Sequence, residues 1–271
     1  MRNLLALVVL SGALVGILKY EDERYHFRDT IQERVQGDVY AEGKPSVLFI
    51  GNSFTSVNDL PRTFAKLARS LGENVGVGGY APGGQSFDGH SKDPAVAKLI
   101  SSREWDYVVL QEQSQRPAFA EQQVQDETIA PAMMLVAMIR RAHRSSKVVF
   151  YETWGRKNGD QDNCKSLPDI CTYDGQQKRL DESYALMAQL SGSLLVPVGE
   201  AWAKVRAAHP EIELYAGDGV HPSPQGTYLA ACVFYATLFH KKLTGADRVI
   251  VSEAQAQVLQ KAAEEACLGP T

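Results

Sequence analysis

The chain has 271 residues, 44% of them apolar, and its 28 basic and 32 acidic side chains give a formal charge of −4. That is enough apolar material for one α/β domain with a substantial core. No long single-sign run or basic stripe occurs, which argues against nucleic acid as a partner.

The first element departs from this average. Arg2 precedes an uncharged apolar stretch from Leu4 to Leu18, and Lys19 then opens a charged run. Residues 1–20 therefore read as a signal peptide or membrane anchor, and the domain is expected to be exported, periplasmic or secreted. The stretch is shorter than the roughly 20 residues of a comfortable membrane span, and it lacks a clear A-x-A cleavage site. A cleaved signal and a retained tether through residues 4–18 both stay open. Residues 21–44 are polar and charged and read as a tether or short helix, leaving 45–271 as the domain proper.

From Pro45 onward, short runs of strand composition alternate with longer segments of helical period, the pattern of an α/β fold with a largely parallel sheet. The strand candidates are five: SVLFIG (46–51), NVGVGGY (74–80), DYVVLQ (106–111), KVVFYE (147–152) and SLLVPVG (193–199). Helices are predicted over 60–72, 93–105, 127–144, 173–192 and 224–243, with a last one over 252–268. Pro stands near several of their starts and Gly at two ends, as helix punctuation prefers. Ligands of such sheets bind beyond the carboxyl ends of the strands, so the loops there are where chemistry is sought. They read GNSFTS, APGGQSFDGH, QEQSQRP and a long one, TWGRKNGDQDNCKSLPDICTYDG; GDGVHPS precedes the helix over 224–243.

Cys164 and Cys171 bracket six residues of the long polar loop, a spacing that can close a small disulfide in an oxidising compartment. Cys232 and Cys267 read as packing residues, and no Cys or His pairing suggests zinc.

A serine hydroxyl is a poor nucleophile until a base takes its proton, and that base is usually a histidine steered by a carboxylate. Ser53 follows the first predicted strand. Of six histidines only His221 sits in a loop beside a carboxylate, with Asp218 three residues before it. A tight Gly-containing turn at that spacing can bring the carboxylate to Nδ1 and leave Nε2 facing outward. A helix-capping Asp218 and a surface His221 would give the same segment.

GNSF after a first strand and D-x-x-H before a late helix together resemble the SGNH/GDSL-type serine hydrolases, over about residues 45–240. The chain does not resemble an α/β-hydrolase, since Ser53 lacks a G-x-S-x-G elbow, nor a phosphate loop, since no Gly-Lys-Ser/Thr follows. The resemblance implies a three-layer α/β sandwich with a five-stranded, largely parallel sheet of flavodoxin-like type, and a Ser53–His221–Asp218 triad that requires no metal or cofactor. It also implies an oxyanion hole made of the Ser53 N–H, a glycine N–H in PGGQS (Gly84, with Gly83 the alternative) and an amide side chain after the third strand. Where many relatives show Gly-x-Asn-Asp, this chain has LQEQSQRP. Counting from Asp106 puts Gln115 in the Asn position, and Gln111, nearer the strand end, competes for the role; both also suit polar loop residues that cap the next helix.

Asn52, His90 and Trp154 are the further candidates for substrate contact. Asn52 also suits turn chemistry, His90 also suits a helix start, and Trp154 beside Arg156 suits a sugar ring but also suits packing. The implied activity is that of an exported serine esterase acting on small acyl esters, O-acetyl groups on carbohydrate among them. Its alternatives are a catalytically weak, tethered domain that binds glycan or a protein partner, and an acyltransferase.

Overall fold

A computed structural model of the chain describes residues 36–249 and 251–269. Its sheet contains β1 (Gln36–Ala41), β2 (Ser46–Ile50), β3 (Gly76–Tyr80), β4 (Tyr107–Leu110), β5 (Lys147–Glu152) and β6 (Leu194–Pro197), in the order β1-β3-β2-β4-β5-β6. Strands β2 to β6 are parallel throughout, as the five apolar runs predict. β1 adds an antiparallel strand against β3.

β1 corrects the reading of residues 21–44 as tether or short helix. An edge strand needs ladder bonds on one side only, so QGDVYA carries no apolar run that would mark it. The leader (1–20) and residues 21–35 lie outside the described residues, and the export and anchor readings with them. A second difference lies at β6, which stops at Pro197, a residue with no N–H for the ladder. Val198 and Gly199 instead begin a helix.

The central strand β2 is buried at every position because it is covered on both faces. Its alternate residues divide the core. Val47 and Phe49 pack into one cluster with Phe64, Trp202 and Phe234, while Leu48 and Ile50 pack into another with Trp105, Leu135 and Tyr184. On the first face lie α2 (Leu60–Ser70), α8 (Val198–Ala208), α9 (Pro224–Phe239) and α10 (Glu253–Cys267). On the second lie α3 (Phe87–Lys92), α4 (Pro94–Ser101), α6 (Ala130–Ala142) and α7 (Tyr173–Ser191). Two short helices, α1 (Ser53–Ser56) directly after β2 and α5 (Glu121–Val124) before α6, complete the α-helices among the described residues. The result is the three-layer sandwich.

These helices start at ordinary caps. Ser223 accepts from the Gly226 N–H with Pro224 at the first helical position, Thr172 accepts from Gly175, and Ser252 with Gln255 forms a capping box.

Candidate active site

β2 has β3 on one side and β4 on the other, so the strand order reverses there and a crevice opens beyond its carboxyl end. Ser53 stands at that point, as the first residue of α1. His221 and Asp218 reach it from the turn that precedes α9. The Ser53 Oγ lies 2.9 Å from His221 Nε2, and His221 Nδ1 lies 2.6 Å from Asp218 Oδ2. The other Asp218 oxygen accepts the backbone N–H groups of Val220 (2.9 Å) and His221 (3.0 Å). Gly219 turns the chain between them at φ +69°, in the left-handed region that favours glycine. An imidazole so placed can take the serine proton during attack on a carbonyl and return it to the leaving group.

Burial disfavours ionisation of Asp218, but the His221 ring and the two backbone bonds outweigh it and hold the carboxyl at about 2. The carboxylate is therefore ionised at any pH where an imidazole can act as a base.

The serine loop is fastened by Gln111. Its Oε1 accepts the Asn52 N–H and the Thr55 hydroxyl, each at 2.9 Å. Its Nε2 donates to Asn52 Oδ1 at 3.0 Å and to the Glu112 carbonyl. With both amide hydrogens used and no exposed surface, Gln111 has nothing left for an oxyanion, and the expectation that it is a donor is corrected. Gln115 is corrected for a similar reason: its Nε2 faces both oxygens of Asp160, at 3.0 and 2.9 Å, and its Oε1 accepts from Gln113. Gln115→Ala is accordingly expected to lower kcat less than tenfold, against the roughly 10²–10³ loss typical of a removed oxyanion donor; steady-state kinetics decide.

The backbone donors remain. Ser53 opens its helix, where an N–H has no intrahelical acceptor. Gly84 is exposed at φ +70° in the loop after β3. Asn52 binds that loop to the serine, its Nδ2 donating to the Gln85 carbonyl (2.9 Å) and to the Glu112 carbonyl (3.3 Å).

None of the three residues expected to touch substrate is placed to do so. Asn52 is 2% exposed and caps α1 by accepting from Phe54 N. His90 is fully buried behind the serine loop, its Nε2 2.8 Å from the Gly51 carbonyl, and burial lowers its pKa to about 4. Trp154 is 1% exposed, stacked between Phe54 and Trp202. Its size and neighbourhood suggest a sugar platform in sequence, but its ring faces are occupied by protein.

Cys164 and Cys171 are joined by a disulfide in the long loop after β5. The same loop supplies Asp160, a fully buried carboxylate that accepts from Gln115, Asn163 (2.9 Å) and, at 3.4 Å, Arg156. Asp160 thereby ties the disulfide-bearing loop to the loop after β4. Sequence reasoning missed it, and also missed Asn58, whose Nδ2 donates to the Pro222 carbonyl and to Thr227 Oγ1, each at 3.0 Å.

Two buried acids lie at the same end of the sheet. Burial pushes Glu112 and Glu152 up to about 8, against backbone N–H bonds from Phe87 and Gln113 to the former and from Glu200 to the latter. Both pKa values are raised above the unfolded one, so the contribution of each to stability is full below about pH 4.5 and is lost as pH rises toward 8. Glu152→Gln should therefore raise Tm at pH 9 by a few degrees and leave it unchanged near pH 5, as read by calorimetry across pH. Among the described residues, no group of three or more His, Cys, Asp or Glu side chains could hold a metal ion.

No family model matches the sequence, and no curated protein matches it. Solved structures do. A protein assigned to the SGNH hydrolases, from Slackia heliotrinireducens, is 32% identical over 70% of this chain and 96% of its own, with a TM-score of 0.55. A DUF4886 family protein from Bacteroides uniformis superposes at a TM-score of 0.71 with 20% identity, over 82% of this chain and 94% of its own. An acetylxylan esterase from Geobacillus stearothermophilus follows at 0.52 and 14%, over 72% and 94%. At their identities the last two likenesses are likenesses of fold.

Proposed function

This chain belongs to the SGNH hydrolases, and from that premise we propose that it is a serine esterase acting on small acyl esters, with O-acetyl groups on carbohydrate as the favoured substrate. The observation that carries the reading is the unbroken series from Ser53 Oγ through His221 to Asp218, at 2.9 and 2.6 Å. Ser53 attacks the ester carbonyl while His221 Nε2 takes its proton. The tetrahedral oxyanion is held by the backbone N–H groups of Ser53 and Gly84. His221 then protonates the departing alcohol, and water, activated by the same imidazole, releases the acid. Asp218 fixes the imidazole tautomer and stabilises the imidazolium. Two backbone donors can stabilise the developing charge without a glutamine.

The preference for a small acyl group on carbohydrate is supported by the mildly acidic composition, which lacks a long apolar lipid-binding stretch in residues 45–271, and by the acetylxylan esterase among the fold relatives. Export is part of the proposal. The apolar segment Leu4–Leu18 and the Cys164–Cys171 disulfide both suit an oxidising compartment.

The test is acetate release from acetylated xylo-oligosaccharides, run beside p-nitrophenyl acetate and octanoate with residues 36–271. Turnover of the acetylated sugar and of the acetate ester, with kcat/KM for octanoate at least about tenfold lower, supports the proposal. A preference for octanoate would overturn the substrate assignment, and inertness toward all three would overturn the esterase.

A further inference from the structure

The turn from Ala216 to His221 lies on the surface, with Asp218 exposed and a glycine at its centre. A segment of that kind has little stability of its own, so the position of His221 must be set by bonds to more rigid elements. The bonds are visible. The two carbonyls between Asp218 and His221 are both held by the chain after β5: Gly219 O accepts the Lys157 backbone N–H at 2.9 Å, and Val220 O accepts the Trp154 Nε1–H at 3.0 Å. Of these two donors only the indole belongs to a side chain.

The same indole reaches the residue beside the nucleophile. Its ring lies parallel to Phe54, with centroids 4.6 Å apart and planes 5° apart, and Phe54 is the residue after Ser53. Phe54 in turn meets the His221 ring edge to face at 5.7 Å and 69°. Behind Trp154 stands Trp202, stacked at 3.9 Å and 6°, which roots the assembly in the core. Stacks of this kind restrict sliding of the rings and add to what burial alone contributes. The Trp154 side chain therefore touches both halves of the site, one through a hydrogen bond and the other through a ring face.

We infer that Trp154 is a positioning residue that sets the register of the His221–Asp218 turn against the Ser53 helix, through its N–H to Val220 O and its face against Phe54. The inference rests on the triad reading above. It assigns to Trp154 a role distinct from substrate binding, since the ring has no free face. The consequence is kinetic: displacement of a reacting group by about 1 Å can cost on the order of 100-fold in rate.

The test compares Trp154→Phe, which keeps a ring in the stack and removes the N–H, with Trp202→Phe, which trims the same stack but has no bond to the turn. Three readouts are taken where calorimetry shows each variant folded. They are kcat and KM on p-nitrophenyl acetate, and the far-downfield proton resonance of the short His221 Nδ1–H···Asp218 bond. Trp154→Phe is expected to lower kcat by about 10- to 100-fold with KM within about threefold, and to broaden or remove the downfield resonance. Trp202→Phe is expected to lower Tm and to change neither. The inference is overturned if Trp154→Phe keeps the resonance with kcat within about threefold of wild type, or if Trp202→Phe loses as much as Trp154→Phe. If the wild type hydrolyses no ester, the esterase reading fails on that fact, and the resonance alone, comparing the two variants, upholds or overturns the role of Trp154.

Discussion

Ser53→Ala and His221→Ala are each expected to lower kcat on p-nitrophenyl acetate by about 10⁴-fold or more, with the double variant hardly slower than either. In the proposed mechanism the three side chains act as one device. Without His221 the serine proton has no acceptor, since Nε2 is the base at hydrogen-bond distance from Oγ. Without Ser53 no acyl-enzyme forms. Both substitutions sit at partly exposed positions, so Tm should move by only a few degrees. A loss of rate with the protein folded is thus separated from a loss of fold. Additive losses, with the double variant far below both single ones, would mean that the two residues do not share a step.

Gln111→Ala has the other large effect, and it falls on stability as well as on rate. Removing the amide strips the acceptor from the Asn52 N–H and the Thr55 hydroxyl, and one of two donors from Asn52 Oδ1, which keeps the Phe54 N–H, and from the Glu112 carbonyl, which keeps Asn52 Nδ2. These groups are buried, and a buried polar group left unpaired costs about 1–3 kcal/mol. A total of about 2–5 kcal/mol is expected in denaturant unfolding, because some of the groups relax toward new partners. The kcat of whatever remains folded should fall by about tenfold or more, since Asn52 no longer fixes the start of the Ser53 helix. The contrast with Gln115→Ala distinguishes a side chain that braces the serine loop from one that braces a neighbouring loop.

Residues whose chemistry is carried by local spacing were legible in the sequence. Asp218 and His221 share one turn with Gly219 between them, and Ser53 stands just after an apolar run of strand composition. The five parallel strands were legible for the same reason: SVLFI and KVVFYE are apolar because both faces are covered. β1 was not, since its pairing is made by backbone groups and its composition is that of a loop. The glutamines of LQEQSQRP could not be told apart, because what decides between them lies far along the chain. Gln111 meets Asn52 at a separation of 59 residues and Gln115 meets Asp160 at 45. Between a sugar platform and a packing residue, Trp154 could not be decided on the same ground. A tryptophan next to polar residues in a loop looks available to a ligand until Phe54 and Trp202, distant in sequence, close on its two faces.

The central claim is that Ser53 is a nucleophile activated by His221. Its most direct test is the reaction of the folded protein with an alkyl fluorophosphonate, followed by mass-spectrometric location of the adduct. This measurement needs no knowledge of the natural ester. A single adduct on Ser53 is expected, formed far more slowly in His221→Ala. No adduct on Ser53, or one that forms equally fast without the histidine, would contradict it.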